Sequence, residues 1–293
     1  MTASSGPVRH VRPDRGRPRA RRSAASTVAG VLGEVLITVG VLLGLFVVWQ
    51  LWWTDVQGAR EQAEVLQSMG WEVPADEAVE VRRDEPPVAE QPAVGDVFGQ
   101  LFVPRWDDAV IPLAQGTDKR TILDKAMAGH YPETAMPGAV GNFSLAAHRM
   151  TYGAPFHRVE ELEVGDPLVV RSNDTWYVYR VTEGFVVQPN QVEVIAPVPG
   201  QPGVEPTQRF LTLTTCHPIG LNSLRERFIV HAELDYWLPV ADGLPPDLVG
   251  HVPDELVAAP PEAAEGAGRA AAPAGLAEAR AVDTVTGPTN GGR

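Results

Sequence analysis

Cysteine and lysine are nearly missing from this sequence: Cys216 stands alone, and Lys119 and Lys125 are the only lysines among 293 residues. A lone cysteine excludes an internal disulfide. It also lacks the paired partners and the HxxxH spacing of the common zinc sites, so a centre built from Cys216, His217 and His148 is disfavoured, and no metal or cofactor is expected. Positive charge is scarce as well. The net charge is -13, and residues 1 to 26 carry seven Arg against one Asp, so the rest of the chain holds about -19. Such a body repels nucleic acid. The lysine shortage beside abundant Ala, Val, Gly, Pro and Arg points to a GC-rich genome and says nothing about mechanism. With 27 Pro and 28 Gly, order throughout the chain is not expected.

Apolar runs long enough to cross a bilayer are also few. One extends from Val28 to Trp53, after the arginines Arg9 to Arg22. At 1.5 Å per helical residue it exceeds the roughly 30 Å hydrocarbon layer. It lacks an A-x-A-like cleavage site and ends in Trp49, Trp52 and Trp53, an aromatic belt, so a retained transmembrane helix is expected. The positive-inside rule then puts residues 1–27 in the cytoplasm and everything after Thr54 outside. Glu34 reads as a tolerated carboxylate near the inner interface.

Beyond the helix, residues 54–95 run from a polar helix-compatible stretch into a Pro/Glu-rich one, and are expected to form a stalk. Residues 243–293 are Ala/Pro/Gly-rich and read as a disordered tail. The segment 96–242 is left as the one folded domain. Its runs FGQLFVPRW, DAVIPLAQG, GNFSLAAHRM, DPLVVRSN, WYVYRVTEGFVV, RFLTLTTC and RFIVHAEL are rich in β-branched and aromatic residues and bounded by turn formers. They predict an all-β domain, a closed or partly closed barrel, with a hairpin turn at Ser172-Asn173-Asp174 and one or two helical turns within Thr121–Met127.

An unpaired cysteine outside the membrane is either reactive or incidental. Cys216 ends a strand-like run and precedes His217-Pro218, where a loop admits substrate. The inert alternative is a small buried hydrophobe. A reactive thiol needs a base or cation beside it. Among seven histidines, His148 ends the strand NFSLAAH and shares that edge position. His217 should face away from the thiol by strand alternation. His231 reads as structural, His130 and His157 as loop residues, while His10 and His251 fall in the terminal segments. Negative charge developing on an attacked carbonyl needs a donor. Arg225 and Arg227 precede the next strand, and a hairpin returns that strand beside the cysteine.

These residues resemble a known family. TLTTCHP at 212–218, followed by an arginine and an apolar strand, is similar to the sortase signature TLxTC…R. The run GHYPETAMPGAVGNFSLAAHRMTYGAPF at 129–156, ending HRMTYGAPF, resembles the histidine segment of actinobacterial class E sortases. The resemblance covers roughly residues 96–240. It implies an eight-stranded β-barrel and a cysteine transpeptidase with Cys216 as nucleophile, His148 as acid/base and Arg227 as oxyanion and substrate clamp. Such an enzyme cleaves secreted proteins between Thr and Gly of an LPxTG-like or, for class E, LAxTG-like signal, and passes the acyl group from a thioester to a cell-wall amine. Tyr152, Thr214 and Thr215 are the implied cleft residues. The loop CHPIGLNSLRERFIV is about two residues longer than the class E spacing, and Gly220-Leu221-Asn222 replaces the usual Ser-Ala type. Spacing from the cysteine favours Arg225, whereas the strand ladder favours Arg227.

An L,D-transpeptidase carries SHGC, where this chain has LTLTTC. A membrane-tethered barrel that only binds a wall peptide is the non-catalytic alternative. Polymerising pilins is the alternative for an active enzyme, with 73–95 folding back as a lid, although the tail after Leu248 has no second run long enough to span.

Overall fold

The computed structural model describes residues 24–73, 79–220, 222–253 and 256–257; the basic N-terminus before Ala24 and the tail beyond Val257 lie outside them. The chain divides after Val56 into two compact units. The long helix α1 (Ala24–Met69) begins in the first and its turns from Gln57 belong to the second; within the first it carries Val28–Trp49, which is long and apolar enough to cross a membrane by length and composition. The large side chains of that run, Leu36 and Ile37 among them, are exposed.

The second unit is a closed barrel of β1 (Val97–Val103), β2 (Ala109–Gln115), β3 (Ala128–His130), β4 (Gly141–Ala146), β5 (Pro167–Arg171), β6 (Thr175–Val187), β7 (Arg209–His217) and β8 (Glu226–Pro239). The order around the barrel is β1-β2-β3-β4-β7-β8-β6-β5, with β4 and β7 parallel and β7, β8 antiparallel. The expected turn joins β5 to β6, and a single 3-10 turn, Leu123–Lys125, is the helical part of 121–127. Alternation sorts the faces: Leu211 and Leu213 of β7 point inward onto Leu145, Val230 and Ala232, while the residues between them point outward.

Strands β5 and β6 are apolar on both faces, and this decides what the flanking segments do. Outside the barrel, Phe102, Val169, Trp176, Val178, Tyr236 and Leu238 form a second cluster. A solvated outer face would leave these large side chains in water, at about 1.5–3 kcal/mol each. They are covered instead by Leu66, Val73, Val79 and Val81 from before the barrel and by Leu244 and Leu248 from after it. Residues 79–95 therefore do not form a free stalk. Arg82 pairs with Trp237 through two backbone bonds, Trp237 Nε1 donates to Asp84 O, and Tyr177 Oη donates to Pro87 O. Nor do they form a lid on the thiol: Arg209, which pairs with Glu85, starts β7, and Cys216 lies at its other end. Likewise residues 243–253 belong to the fold rather than to a disordered tail; Arg180 bridges to Asp235 and Asp247.

His130 lies in a strand, not a loop, and is fully buried. Its Nε2 meets Ala135 O at 3.0 Å, and the Gln115 amide reaches Nδ1 at 2.8 Å. Burial holds its pKa at about 4, down from 6.5. Between those values the unfolded chain binds a proton that the folded one refuses. Stability is therefore full above pH 6.5 and falls by about 3 kcal/mol as the pH drops towards 4. Urea denaturation at several pH values should show a shallower acid slope for His130→Gln than for the unsubstituted chain.

Candidate active site

Cys216, Thr214 and Thr212 share the outward face of β7. Across the ladder, Cys216 is paired with Arg227. Directly opposed residues share a face, with Cβ atoms about 5 Å apart. The ladder thus brings Arg227 to the thiol despite the long loop. Arg225, in contrast, precedes β8 and is exposed; its backbone N–H donates to Asn222 O. Arg227 Nη1 donates to Leu224 O and Glu226 O at 3.2 and 2.8 Å, which fixes one edge of the guanidinium.

The other neighbour of β7 is β4, whose Ala146 is in register with Thr214. The contact continues past the strand's end. Ala147 N donates to Thr214 O, Thr215 Oγ1 donates to Ala147 O at 2.8 Å, and Arg149 Nη1 donates to Cys216 O at 3.3 Å. His148 lies between those two tied residues, and the parallel register carried on by two positions brings it level with Cys216. Its ring stacks on Tyr152 with centroids 5.3 Å apart, and Nε2 lies 2.8 Å from Asp124 Oδ1. Both partners of that pair are under one-fifth exposed, so water competes little for the bond. Cys216 itself is partly exposed.

A cleft of about 120 Å³ adjoins the arginine, lined by Tyr131, Val187, Val194, Ile195, Thr214 and Arg227 among others. Its outer wall is the segment after β6. Backbone oxygens of that wall accept from His231 Nε2 (Val194 O, 3.2 Å) and Asn142 Nδ2 (Ala196 O, 3.0 Å), so His231 is a structural residue. Thr214 meets Tyr131 Oη at 3.0 Å inside the cleft. Thr215 faces the other way and ties the strand end.

Two parts of this site had no signal in the sequence. Asp124 lies 24 residues before His148 in a short turn between lysines, and only the fold brings the two together. The second is a network under the thiol's strand. The Arg149 side chain is almost fully buried, with Nη1 at 2.9 Å from His217 Nδ1 and Nη2 at 2.9 Å from Glu160 Oε1. Glu160 also reaches His217 at 2.9 Å, and the Arg149 guanidinium lies 5.7 Å over the Phe228 ring. His217 accordingly faces away from the cleft. The arrangement offers a thiol, an imidazole oriented by a carboxylate and a guanidinium fork at one end of one strand, which are the groups that nucleophilic acyl transfer uses.

Known proteins share this fold and sequence. Residues 101–235 match the sortase domain. The chain is 39% identical to sortase SrtE2 of Streptomyces coelicolor over 75% of this chain and 87% of that protein. It is 38% identical to SrtE1 of the same organism over 80% of this chain, spanning 65% of that protein's length. The solved SrtA sortase of Actinomyces oris is 45% identical and superposes with a TM-score of 0.55, covering 57% of this chain and 96% of that structure. This chain belongs to the sortase family of cysteine transpeptidases, on the side of the family where the class E proteins stand.

Proposed function

We propose that the chain is a membrane-anchored transpeptidase in which Cys216, His148 and Arg227 act together on a C-terminal sorting signal of secreted proteins. The observation that carries this reading is the alignment of the three at the ends of adjacent strands, with His148 two residues past β4 and Arg227 opposite Cys216 in the ladder. The Cys216 thiolate attacks the Thr carbonyl carbon of the Thr–Gly bond. The oxyanion is met by the Nε–H and Nη2–H of Arg227, whose Nη1 is already committed to backbone oxygens. As the C–N bond breaks, His148 gives a proton to the departing Gly amine. Asp124 holds the imidazole by Nε2 and leaves Nδ1 for that proton. A cell-wall amine then attacks the thioester; its proton passes to the neutral His148, and Cys216 leaves as the thiolate, restoring the thiolate–imidazolium pair of the start. Arg9 to Arg22 before the apolar span support a cytoplasmic N-terminus and an external barrel.

The cleft beside Arg227 is small and apolar on its Val187, Val194 and Ile195 side, which suits an uncharged peptide, and the likeness to class E proteins supports an LAxTG-like signal. We take LAxTG over LPxTG as the preferred peptide, anchoring of proteins to the wall as the role, and a diaminopimelate-like or glycyl amine as acceptor. Cleavage of fluorogenic LAxTG and LPxTG peptides, with and without each amine, tests this. Faster release from LAxTG, with amine-linked product, supports the assignment; cleavage of neither peptide by the folded protein overturns it.

A further inference from the structure

The last turns of α1, from Gln57 onward, belong to the barrel's unit, and one face of them lies on the two elements that hold His148. Residues 58, 61, 62 and 65 recur at helical spacing on that face. At its top, Gly58 packs backbone to backbone on the loop after His148: a Cβ there would fall 2.5 Å from the Tyr152 carbonyl carbon and 2.8 Å from Gly153 Cα. Only glycine permits that approach. Gly153 also meets Ala126, the residue closing the Asp124 turn; a Cβ on Gly153 would lie 2.9 Å from Ala126 Cβ and 3.3 Å from the Gly58 carbonyl carbon, so the helix, the loop and the turn converge at one point. Lower on the face, Glu61 Oε2 is 3.5 Å from Lys125 Nζ, Gln62 Nε2 donates to Val110 O at 3.0 Å, and Val65 packs on the cluster of Ala114, Ile122 and Met127.

The loop so held is strained. Tyr152, Gly153 and Ala154 have φ of 53°, 74° and 42°, three consecutive left-handed residues of which two carry a side chain. Such backbone persists only where its surroundings impose it. Here it lays the Tyr152 ring against His148, while the Asp124 turn, which meets the same Gly153, holds His148 Nε2.

We propose that the Gln57–Val65 turns of α1 are a positioning element of the active site, a clamp that ties the Tyr152–Ala154 loop and the Asp124 turn together where they meet Gly58 and so sets the orientation of His148. None of its residues lines the cleft beside Arg227. The clamp therefore affects turnover and not peptide affinity, and a domain trimmed within α1 after Gly58 is a weaker enzyme than the full chain. This rests on the role of His148 proposed above.

The test uses the full chain in detergent micelles, with Gly58→Leu set against Arg60→Leu, an exposed position on the same turns. Gly58→Leu should lower kcat by tenfold or more with KM unchanged within about threefold, because a small misplacement of a catalytic group costs up to about a hundredfold. Arg60→Leu should match the unsubstituted chain. Hydrogen exchange in 118–127 and 148–156 should quicken in Gly58→Leu alone. If Gly58→Leu does not fold, Val65→Ala, which removes packing without adding bulk, is read in its place with a smaller fall in kcat. A folded variant with unchanged kcat and unchanged exchange overturns the clamp. Faster exchange in a chain whose unsubstituted form cleaves no peptide would leave the clamp standing and remove the transpeptidase reading instead.

Discussion

Arg227→Ala is expected to lower kcat/KM for a sorting peptide by about 10²–10³-fold, the loss typical of one well-placed oxyanion donor. Arg225→Ala should stay within about twofold, as an exposed side chain outside the ladder does. The contrast follows from register. Cys216 and Arg227 are opposed residues of β7 and β8, so their side chains emerge on the same face whatever the length of the loop between them. A one-residue slip would turn Arg227 into the barrel. Arg227 Nη1 is bound to the backbone of Leu224 and Glu226, so the fork is oriented before substrate arrives. Lysine at 227 should rescue little, because an ammonium is a point charge that cannot hold the backbone with one edge and the substrate with the other. Steady-state kinetics on the three variants decides between the two arginines; equal damage from Arg225→Ala would mean that the long loop folds its own arginine onto the carbonyl.

His148→Ala should cost about 10²–10⁴-fold, the range for removal of a general acid/base. Asp124→Ala is expected to fall between that variant and the unsubstituted chain, with KM preserved, because Asp124 touches His148 Nε2 and not the cleft. Asp124→Asn keeps a hydrogen-bonding group of the same size but removes the carboxylate, so it should recover orientation without recovering charge. A double variant of His148 and Asp124 should be no slower than His148→Ala alone, as for residues that act as a unit. Additive losses would show that Asp124 acts elsewhere.

How much of this was legible beforehand differs from element to element. Strands β1, β2 and β4 to β8 stood out because each is a β-branched or aromatic run closed by Gly, Pro, Asn or Asp, and the hairpin ladder alone favoured Arg227 over Arg225. Strand β3 did not, since three residues carry no period, and His130 was misplaced in a loop with it. The flanks were misread for a different reason. Pro- and Glu-rich composition speaks for extended chain, but whether that chain is free depends on what needs cover elsewhere. The apolar residues on both faces of PLVVR and TWYVY were the available sign that the barrel's outside required a second layer. Asp124 and the buried Arg149–Glu160–His217 network are tertiary contacts between segments 24 and 11 residues or more apart, and no local pattern announces them. Likewise, nothing in GAREQAEVLQSMG, residues 58–70, distinguishes a solvated spacer from a helix whose Gly58 meets a glycine of the histidine loop.

The nucleophile is tested most directly by the mass of the intact protein after mixing with an LAxTG peptide. The unsubstituted chain should gain the mass of the peptide's acyl part on Cys216, released by hydroxylamine, passed on to an added amine and absent from Cys216→Ala. A folded protein that cleaves the peptide without that adduct, or whose Cys216→Ala variant still carries it, would contradict the assignment of Cys216 as the nucleophile.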